Sequence, residues 1–277
     1  MIRHCAIALT IGLLVFSGTS DAARKRITLK PEPGVYSEAD VEKEVLFGRE
    51  VAAVILADRM LVQDAELNRY VNLVGQSVAR HCNRPELQLF FAVVESDEIN
   101  AYAAPGGYIF ISTAALDFIQ NEAELAAVLA HEIAHVADRH IVKALDIRAD
   151  DKSMTAMVSK IVGSSAESAS VIFHQAVDHA LALLFSNGLA QEDEYRADEQ
   201  AVFLTTFAGY DPMAYPRLLA RLDDTIQQQR SELGKTHPPL ADRISRIDEI
   251  IRNQGLATAA SSINERRYQQ QLQNKGN

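Results

Sequence analysis

Residues 127–140, AVLAHEIAHVADRH, contain side chains that can bind a metal ion and activate a water molecule. His131, Glu132 and His135 form the pattern H-E-x-x-H. Histidines four positions apart lie on one face of a helix, so their imidazoles can share one tetrahedral zinc ion. Glu132 would then lie beside the open side of the metal, where it could take a proton from a bound water. The alternative is a helix whose histidines only make hydrogen bonds within the core.

A catalytic zinc ion needs a third protein ligand. The three-histidine pattern H-E-x-x-H-x-x-G-x-x-H is excluded, because Asp138 stands at the glycine position and Ile141 at the last histidine position. The other solution is a glutamate from a later helix, and EDEYRAD at residues 192–198 offers one. Glu194 and Asp198 share a helix face, which suits Glu194 as a ligand and Asp198 as the group that orients an imidazole. The alternative is a solvated acidic helix start.

The elements that must position these residues are predicted to be mostly helical. Asn121 and Glu124 have the spacing of a capping box at the start of the H-E-x-x-H helix. Branched and aromatic residues at 87–94 predict a strand, and residues 100–112 predict a hairpin. Apolar spacing predicts further helices at 37–61, 65–80, 113–120, 190–208, 212–230 and 241–252. The expected fold is mainly α with a small antiparallel sheet, in the α+β class.

The amino-acid composition limits the classes of protein to which the chain can belong. The chain has 277 residues, 48% apolar and 23% charged, which is typical of a globular protein with a sizeable core. Its formal net charge of −10 argues against general nucleic-acid binding, because phosphate contacts need clustered lysine and arginine. Only Cys5 and Cys82 are present, and Cys5 lies in the N-terminal segment, so we expect no intramolecular disulfide.

The chain carries a set of ordered motifs: N-A-Y-A-x-P-G-G at 100–107, H-E-x-x-H with R-H at 139–140, E-x-x-A-D at 194–198, G-Y-D-P at 209–212, and T-H-P at 236–238 with Arg243. Together these motifs resemble peptidase family M48, the CAAX prenyl endopeptidases and HtpX-like zinc proteases. The chain is most similar to their soluble periplasmic subgroup. One departure is Ala190-Gln191, where the family often has Ser-Arg, so the contacts of that pair are not carried over.

The resemblance and the chemistry together imply a zincin-type gluzincin domain with one zinc ion per chain. The ion would be bound by His131, His135 and Glu194, with Glu132 as the general base and Asp198 behind a ligand. The hairpin would offer an edge strand to an extended peptide, with Asn100 and Ala101 as substrate contacts. Its alternative is a plain core hairpin.

His237 is the least determined of the candidate residues. It could contact zinc, stabilise an oxyanion or hold the site latent; alternatively, it only caps the next helix. His140 is expected to be a surface or core residue. The Ala- and Ser-rich residues 146–186 are expected to form a mobile flap over the cleft, or else two packed helices.

The first 22 residues have the form of a secretory signal peptide. A basic start, an apolar run at 5–16 and small residues up to Ala23 fit that pattern, and the run is too short for a comfortable membrane span. The alternatives are an uncleaved anchor or a buried helix. We expect a signal at 1–22, a linker at 23–36, the zinc metalloprotease domain at 37–255, and a polar tail at 256–277 that is disordered or loosely helical.

These features predict a periplasmic zinc-dependent endopeptidase. Family resemblance and the signal imply that its substrates are misfolded or misassembled envelope polypeptides. They also suggest a peripheral association with the outer-membrane assembly machinery. One rival is a zinc-bound chaperone or assembly factor with minor or latent proteolysis, and another is a helical scaffold without metal.

Overall fold

The computed structural model describes residues 36–145, 167–229, 237–258 and 261–273. The predicted signal peptide, almost all of the linker and residues 146–166 of the predicted flap lie outside the described residues. The helices are α1 (Glu38–Asp58), α2 (Ala65–Ala79), α3 (Thr113–Phe118), α4 (Glu122–Ala137), α5 (His140–Ala144), α6 (Glu167–Ala182), α7 (Gln191–Phe207), α8 (Ala214–Gln229), α9 (Leu240–Asn253) and α10 (Glu265–Gln273), and the strands are β1 (Phe90–Val94), β2 (Ala101–Ala104) and β3 (Tyr108–Ser112). Across these ranges, no helix combines the length and apolarity needed to cross a bilayer.

The three strands form one sheet in the order β1-β3-β2. Strands β2 and β3 are the predicted hairpin and pair antiparallel. Strand β1 pairs parallel with β3, so the sheet is mixed instead of purely antiparallel. The reason is connectivity: the chain reverses between β1 and β2 and again in the hairpin, so β3 runs in the direction of β1. This order leaves β2 at an edge of the sheet.

The hairpin turn at Pro105–Gly107 is held tightly against α1. Gly106 has a φ of 73°, a conformation that side chains rarely adopt. On α1, a Cβ added at Gly48 would lie 1.7 Å from the carbonyl oxygen of Pro105. The two glycines therefore permit a backbone approach that fixes the sheet edge relative to the first helix.

Helix α4 is the central element and is buried on nearly all sides. It packs most extensively against α7 and also contacts α2, α8 and β2. Small residues with no exposed surface, among them Ala130 and Ala134 of α4 and Ala197 and Ala201 of α7, allow these helices to approach closely. This close approach brings residues of α7 to the H-E-x-x-H face of α4.

The helix starts follow from local capping. Ser37 and Asp40 form a complete capping box at α1. At α4, the Glu124 N–H donates to Asn121 Oδ1 at 3.1 Å. The Glu124 carboxylate accepts from the Gln120 N–H at 2.9 Å, one residue before the expected partner.

The C-terminal segment differs from the predicted loose tail. Helix α10 packs on α2 and α4, and the Tyr268 side chain is fully buried with its hydroxyl donating to the Leu116 carbonyl. Arg267 forms an ion pair with Glu122 at the start of α4. A buried tyrosine, the partly buried Leu272 and an ion pair dock a segment that is otherwise polar. So few apolar residues form no helical period, which is why the sequence did not predict this packing.

Candidate metal centre

Three potential ligand atoms converge between α4 and α7. His131 Nε2 lies 3.0 Å from His135 Nε2. The Glu194 carboxylate lies 3.7 Å from His131 Nε2 and 3.5 Å from His135 Nε2. Ligands about 2.0–2.2 Å from a tetrahedral zinc ion would be separated by about 3.3–3.6 Å, so the group could hold a metal ion with little movement. The two nitrogens and one carboxylate oxygen are a donor set that suits zinc.

The electrostatics of the cluster favour one positive charge at its centre. Burial lowers the pKa of His131, but hydrogen bonds with Asp198 and Glu194 outweigh this effect and raise the pKa to about 9. Burial and the charge of His131 hold the pKa of His135 well below 6.5. Burial raises the pKa of Glu194, but hydrogen bonds with His131 and His237 hold it well below its usual range. Such a centre is suited to a cation.

The far nitrogen of His131 is held by Asp198, as its spacing from Glu194 predicts. Asp198 Oδ1 lies 3.1 Å from His131 Nδ1. The Tyr215 hydroxyl donates to the same oxygen at 2.7 Å. Arg243 donates to both oxygens of Asp198, at 2.8 and 2.7 Å. Sequence reasoning missed Tyr215 entirely and used Arg243 only as part of a motif, because α8 and α9 reach the site through tertiary packing.

The far nitrogen of His135 has a different partner. His135 Nδ1 lies 2.8 Å from His140 Nδ1. His140 is 1% exposed, and burial lowers its pKa to about 4 despite the nearby Asp193 carboxylate. Although R-H at 139–140 belongs to the family motif, the spacing does not predict a contact between His140 and His135, because residues five apart do not share a helix face.

Glu132 lines two cavities beside the cluster. It is 8% exposed, and burial raises its pKa above the usual range. One cavity, of about 210 Å³, also touches His131, and the other, of about 320 Å³, also touches His135. Asn100 and Ala101 line both cavities, so the predicted substrate contacts lie beside Glu132.

His237 also reaches the cluster. Its Nδ1 lies 2.7 Å from Glu194 Oε2, and the side chain is 35% exposed at the cleft. Pro239, two residues later, is the N-cap position of α9, and no side-chain hydrogen bond caps that helix. The structure thus places His237 beside a candidate ligand and does not show it capping α9.

Comparisons with known proteins agree with this geometry. Residues 65–251 match the family model of peptidase family M48. The beta-barrel assembly-enhancing protease of Escherichia coli O157:H7 is 28% identical over 225 residues, which cover 77% of this chain and 46% of that protein. The mitochondrial metalloendopeptidase OMA1 of Schizosaccharomyces pombe is 32% identical over 199 residues, which cover 70% of this chain and 56% of that protein.

A third relative, a protease HtpX homolog of Janthinobacterium, is 25% identical over 204 residues, which cover 63% of this chain and 70% of that protein. The chain spans about half the length of the first two relatives. The family match covers more than half of the chain and contains the whole convergent cluster on α4 and α7. The chain therefore belongs to peptidase family M48.

Proposed function

We propose that the chain is a zinc-dependent metalloendopeptidase that binds one zinc ion and hydrolyses peptide bonds in polypeptides. The observation that carries this proposal is the convergence of His131, His135 and Glu194 beside Glu132 in an open cleft. A zinc ion bound there would polarise the scissile carbonyl and lower the pKa of a water molecule to about 7. Membership of family M48 supports the same reaction class.

The residues around the proposed zinc site have separate roles in the reaction. Glu132 takes the proton of the attacking water and delivers it to the leaving amine nitrogen. Asp198 orients the His131 ring and is itself held by Arg243 and Tyr215. His237, on the exposed side of the cluster, is placed to contact the carbonyl oxygen or the metal.

The cleft suits an extended polypeptide. Strand β2 lies at the edge of the sheet, and its first residue, Ala101, lines both cavities together with Asn100. A substrate strand that paired with this edge would pass directly beside Glu132. The hairpin therefore serves as both core and binding edge.

The cavity next to His131 supports a preference for unfolded substrates. Its walls are largely apolar and include Phe118, Val128, Leu218 and Leu222. A cavity of about 150 Å³ with such walls binds benzene, so the space here accommodates a large apolar side chain. Misfolded chains expose extended apolar segments, whereas native proteins bury them.

We assign the enzyme to quality control of envelope proteins in the periplasm, with peripheral docking on the outer-membrane assembly machinery. Two observations support this assignment. The N-terminal sequence has the pattern of a secretory signal. Several relatives are named beta-barrel assembly-enhancing protease.

The test is zinc content measured together with casein cleavage, with and without a chelator. We expect about one zinc per chain and cleavage that the chelator abolishes. Glu132→Gln should retain zinc and lose about 10²- to 10⁴-fold in rate. The control is Glu66→Gln on the exposed face of α2, which should cleave normally. A Glu132→Gln variant that cleaves at the wild-type rate would contradict the mechanism.

A zinc-bound assembly factor with latent proteolysis is the second candidate. The contact between His237 and Glu194 favours it, because this imidazole could fill the remaining position of a metal ion. In a strain that lacks the protein, full rescue of envelope defects by Glu132→Gln would support this role over proteolysis. Faster casein cleavage by His237→Ala than by the wild type would support latency.

A further inference from the structure

We propose that His140 is a positioning residue of the metal centre that fixes the ring of His135. In this arrangement, His140 Nδ1 accepts a hydrogen bond from the Nδ1–H of His135 and so aims His135 Nε2 at the ion. The inference rests on the proposed zinc site. It gives a defined role to a buried histidine that is neither one of the proposed ligands nor part of the proposed reaction.

The contact between the two rings has the geometry of a directed hydrogen bond. The Nδ1 atoms are 2.8 Å apart, and the rings meet edge to face with an interplanar angle of 76°. His135 is 7% exposed and His140 is 1% exposed. Water therefore has little access to compete for either nitrogen.

The position of the proton follows from the role of His135. Its Nε2 faces His131 and Glu194, so a metal there takes the Nε2 lone pair and leaves the proton on Nδ1. Two nitrogens 2.8 Å apart share one hydrogen, so His140 Nδ1 must be the acceptor. His140 is thus a neutral imidazole that carries its own proton on Nε2.

The surroundings of His140 Nε2 suit that proton. Asp193 Oδ1 lies 3.6 Å away and Asp138 Oδ2 lies 3.7 Å away. Among the described residues, this buried nitrogen has no partner within hydrogen-bond distance. Two carboxylates beyond that distance favour an N–H dipole that points towards them. A chain of contacts therefore leads from the metal site through His135 and His140 to Asp138 and Asp193.

A break in the helix makes this contact possible. Along an uninterrupted helix, a residue five positions on lies about 140° around the axis and faces away. Arg139, between α4 and α5, has a φ of 58°, in the left-handed region. Its side chain forms an ion pair with Glu44 of α1 at 2.8 Å. This turn folds the chain back so that His140 lies against His135.

The experiment compares His140→Phe with His140→Asn in the full chain. Phenylalanine fills the space without an acceptor, whereas asparagine keeps an acceptor near the position of Nδ1. The control is His81→Phe, the same substitution at an exposed histidine just beyond the C-terminal end of α2. The measurements are the zinc Kd, the visible absorption spectrum of the cobalt-loaded protein, and thermal unfolding of the zinc-free protein.

We expect His140→Phe to weaken zinc binding by about 10- to 100-fold and to change the cobalt spectrum. His140→Asn should recover most of the affinity, and His81→Phe should match the wild type. A purely structural role would instead lower the melting temperature of the zinc-free protein and leave the zinc Kd unchanged. Wild-type zinc affinity in His140→Phe overturns the proposal. These readouts use no peptide substrate, so a wild-type protein that binds zinc but does not cleave casein refutes only the proposed function.

Discussion

Helix α4 carries buried polar clusters at its two ends, and they are built in opposite ways. At its first residue, Glu122 has no exposed surface and accepts from several donors. The hydroxyls of Tyr70 and Tyr210 donate at 2.8 and 2.9 Å, and Asn264 Nδ2 donates at 3.0 Å. Arg267 adds a charged partner. The oxygens of this carboxylate are therefore satisfied by the protein itself.

At the other end of α4, acceptors face one another. His131 Nε2, His135 Nε2 and the Glu194 carboxylate converge, while His237 Nδ1 and Arg243 Nη1 lie 2.7 and 3.9 Å from Glu194 Oε2. Acceptors that converge in a buried site are stable only when a cation or protons lie between them. The comparison shows how to separate two kinds of buried cluster. Balanced donors and acceptors indicate a structural cluster, whereas an excess of converging acceptors indicates a metal site.

The largest predicted effect comes from removing the charge of Glu194. Glu194→Gln should weaken zinc binding by more than about 100-fold, beyond the loss typical of groups behind a ligand, and should abolish cleavage. The zinc-free variant should remain folded and lose only part of its stability, because a neutral amide costs less to bury than a carboxylate but gives up the charged contacts with His131 and His237. Zinc titration and thermal unfolding with a chelator check both parts. If the zinc-free variant unfolded, the cluster at this end of α4 would also be required for folding, and the contrast with the Glu122 cluster would be wrong.

The same substitution at the other end of α4 should act mainly on stability instead of on zinc binding. Glu122→Gln replaces one acceptor by a donor facing Tyr70, Tyr210 and Arg267, so we expect a loss of about 1–3 kcal/mol in the free energy of unfolding. Zinc affinity should be unchanged in the folded variant. Urea unfolding with Glu66→Gln as the exposed control measures the loss. A stability equal to that of the control would show that the Glu122 cluster contributes nothing to the fold.

The two ends also differ in how far sequence predicted them. The spacing of His131 and His135, with Glu194 and Asp198 on a later helix, was enough to name residues that do converge. The hairpin and most helix ends were predicted because caps, turns and apolar periods are local. Mainly α architecture with a small sheet, and membership of family M48, are confirmed.

The parts of the site that the sequence did not predict depend on contacts between elements that are distant along the chain. Tyr215 acts through the packing of α8, and His140 acts through a left-handed turn at Arg139. The Glu122 cluster joins α2, α4 and residues beyond 260, and no local pattern connects them. A cluster that uses one residue from each of several elements leaves no spacing to recognise.

The Glu122 cluster is also expected to lose its stabilising effect in acid. Burial raises the pKa of Glu122, but hydrogen bonds from Arg267 and Tyr70 outweigh burial and hold the pKa below its ordinary value of 4.5. The stabilising contribution of this carboxylate is therefore complete above pH 4.5 and is lost as pH falls through the folded-state pKa. The stability difference between wild type and Glu122→Gln should accordingly shrink in acid. Chemical unfolding of zinc-free proteins from pH 7 to pH 3 tests this, and a constant difference would contradict it.

The smallest predicted effect concerns the helix that docks on the Glu122 end. The buried Tyr268 hydroxyl donates to the Leu116 carbonyl, so Tyr268→Phe removes one hydrogen bond and keeps the ring. We expect a loss of about 0.5–1.5 kcal/mol in unfolding free energy, with zinc binding and cleavage unchanged. Tyr108→Phe, at a half-buried ring that stacks on Phe90, is the matched control and should lose less. Because α10 docks on the Glu122 end of α4, an effect on zinc affinity would mean that the two ends of α4 are coupled after all.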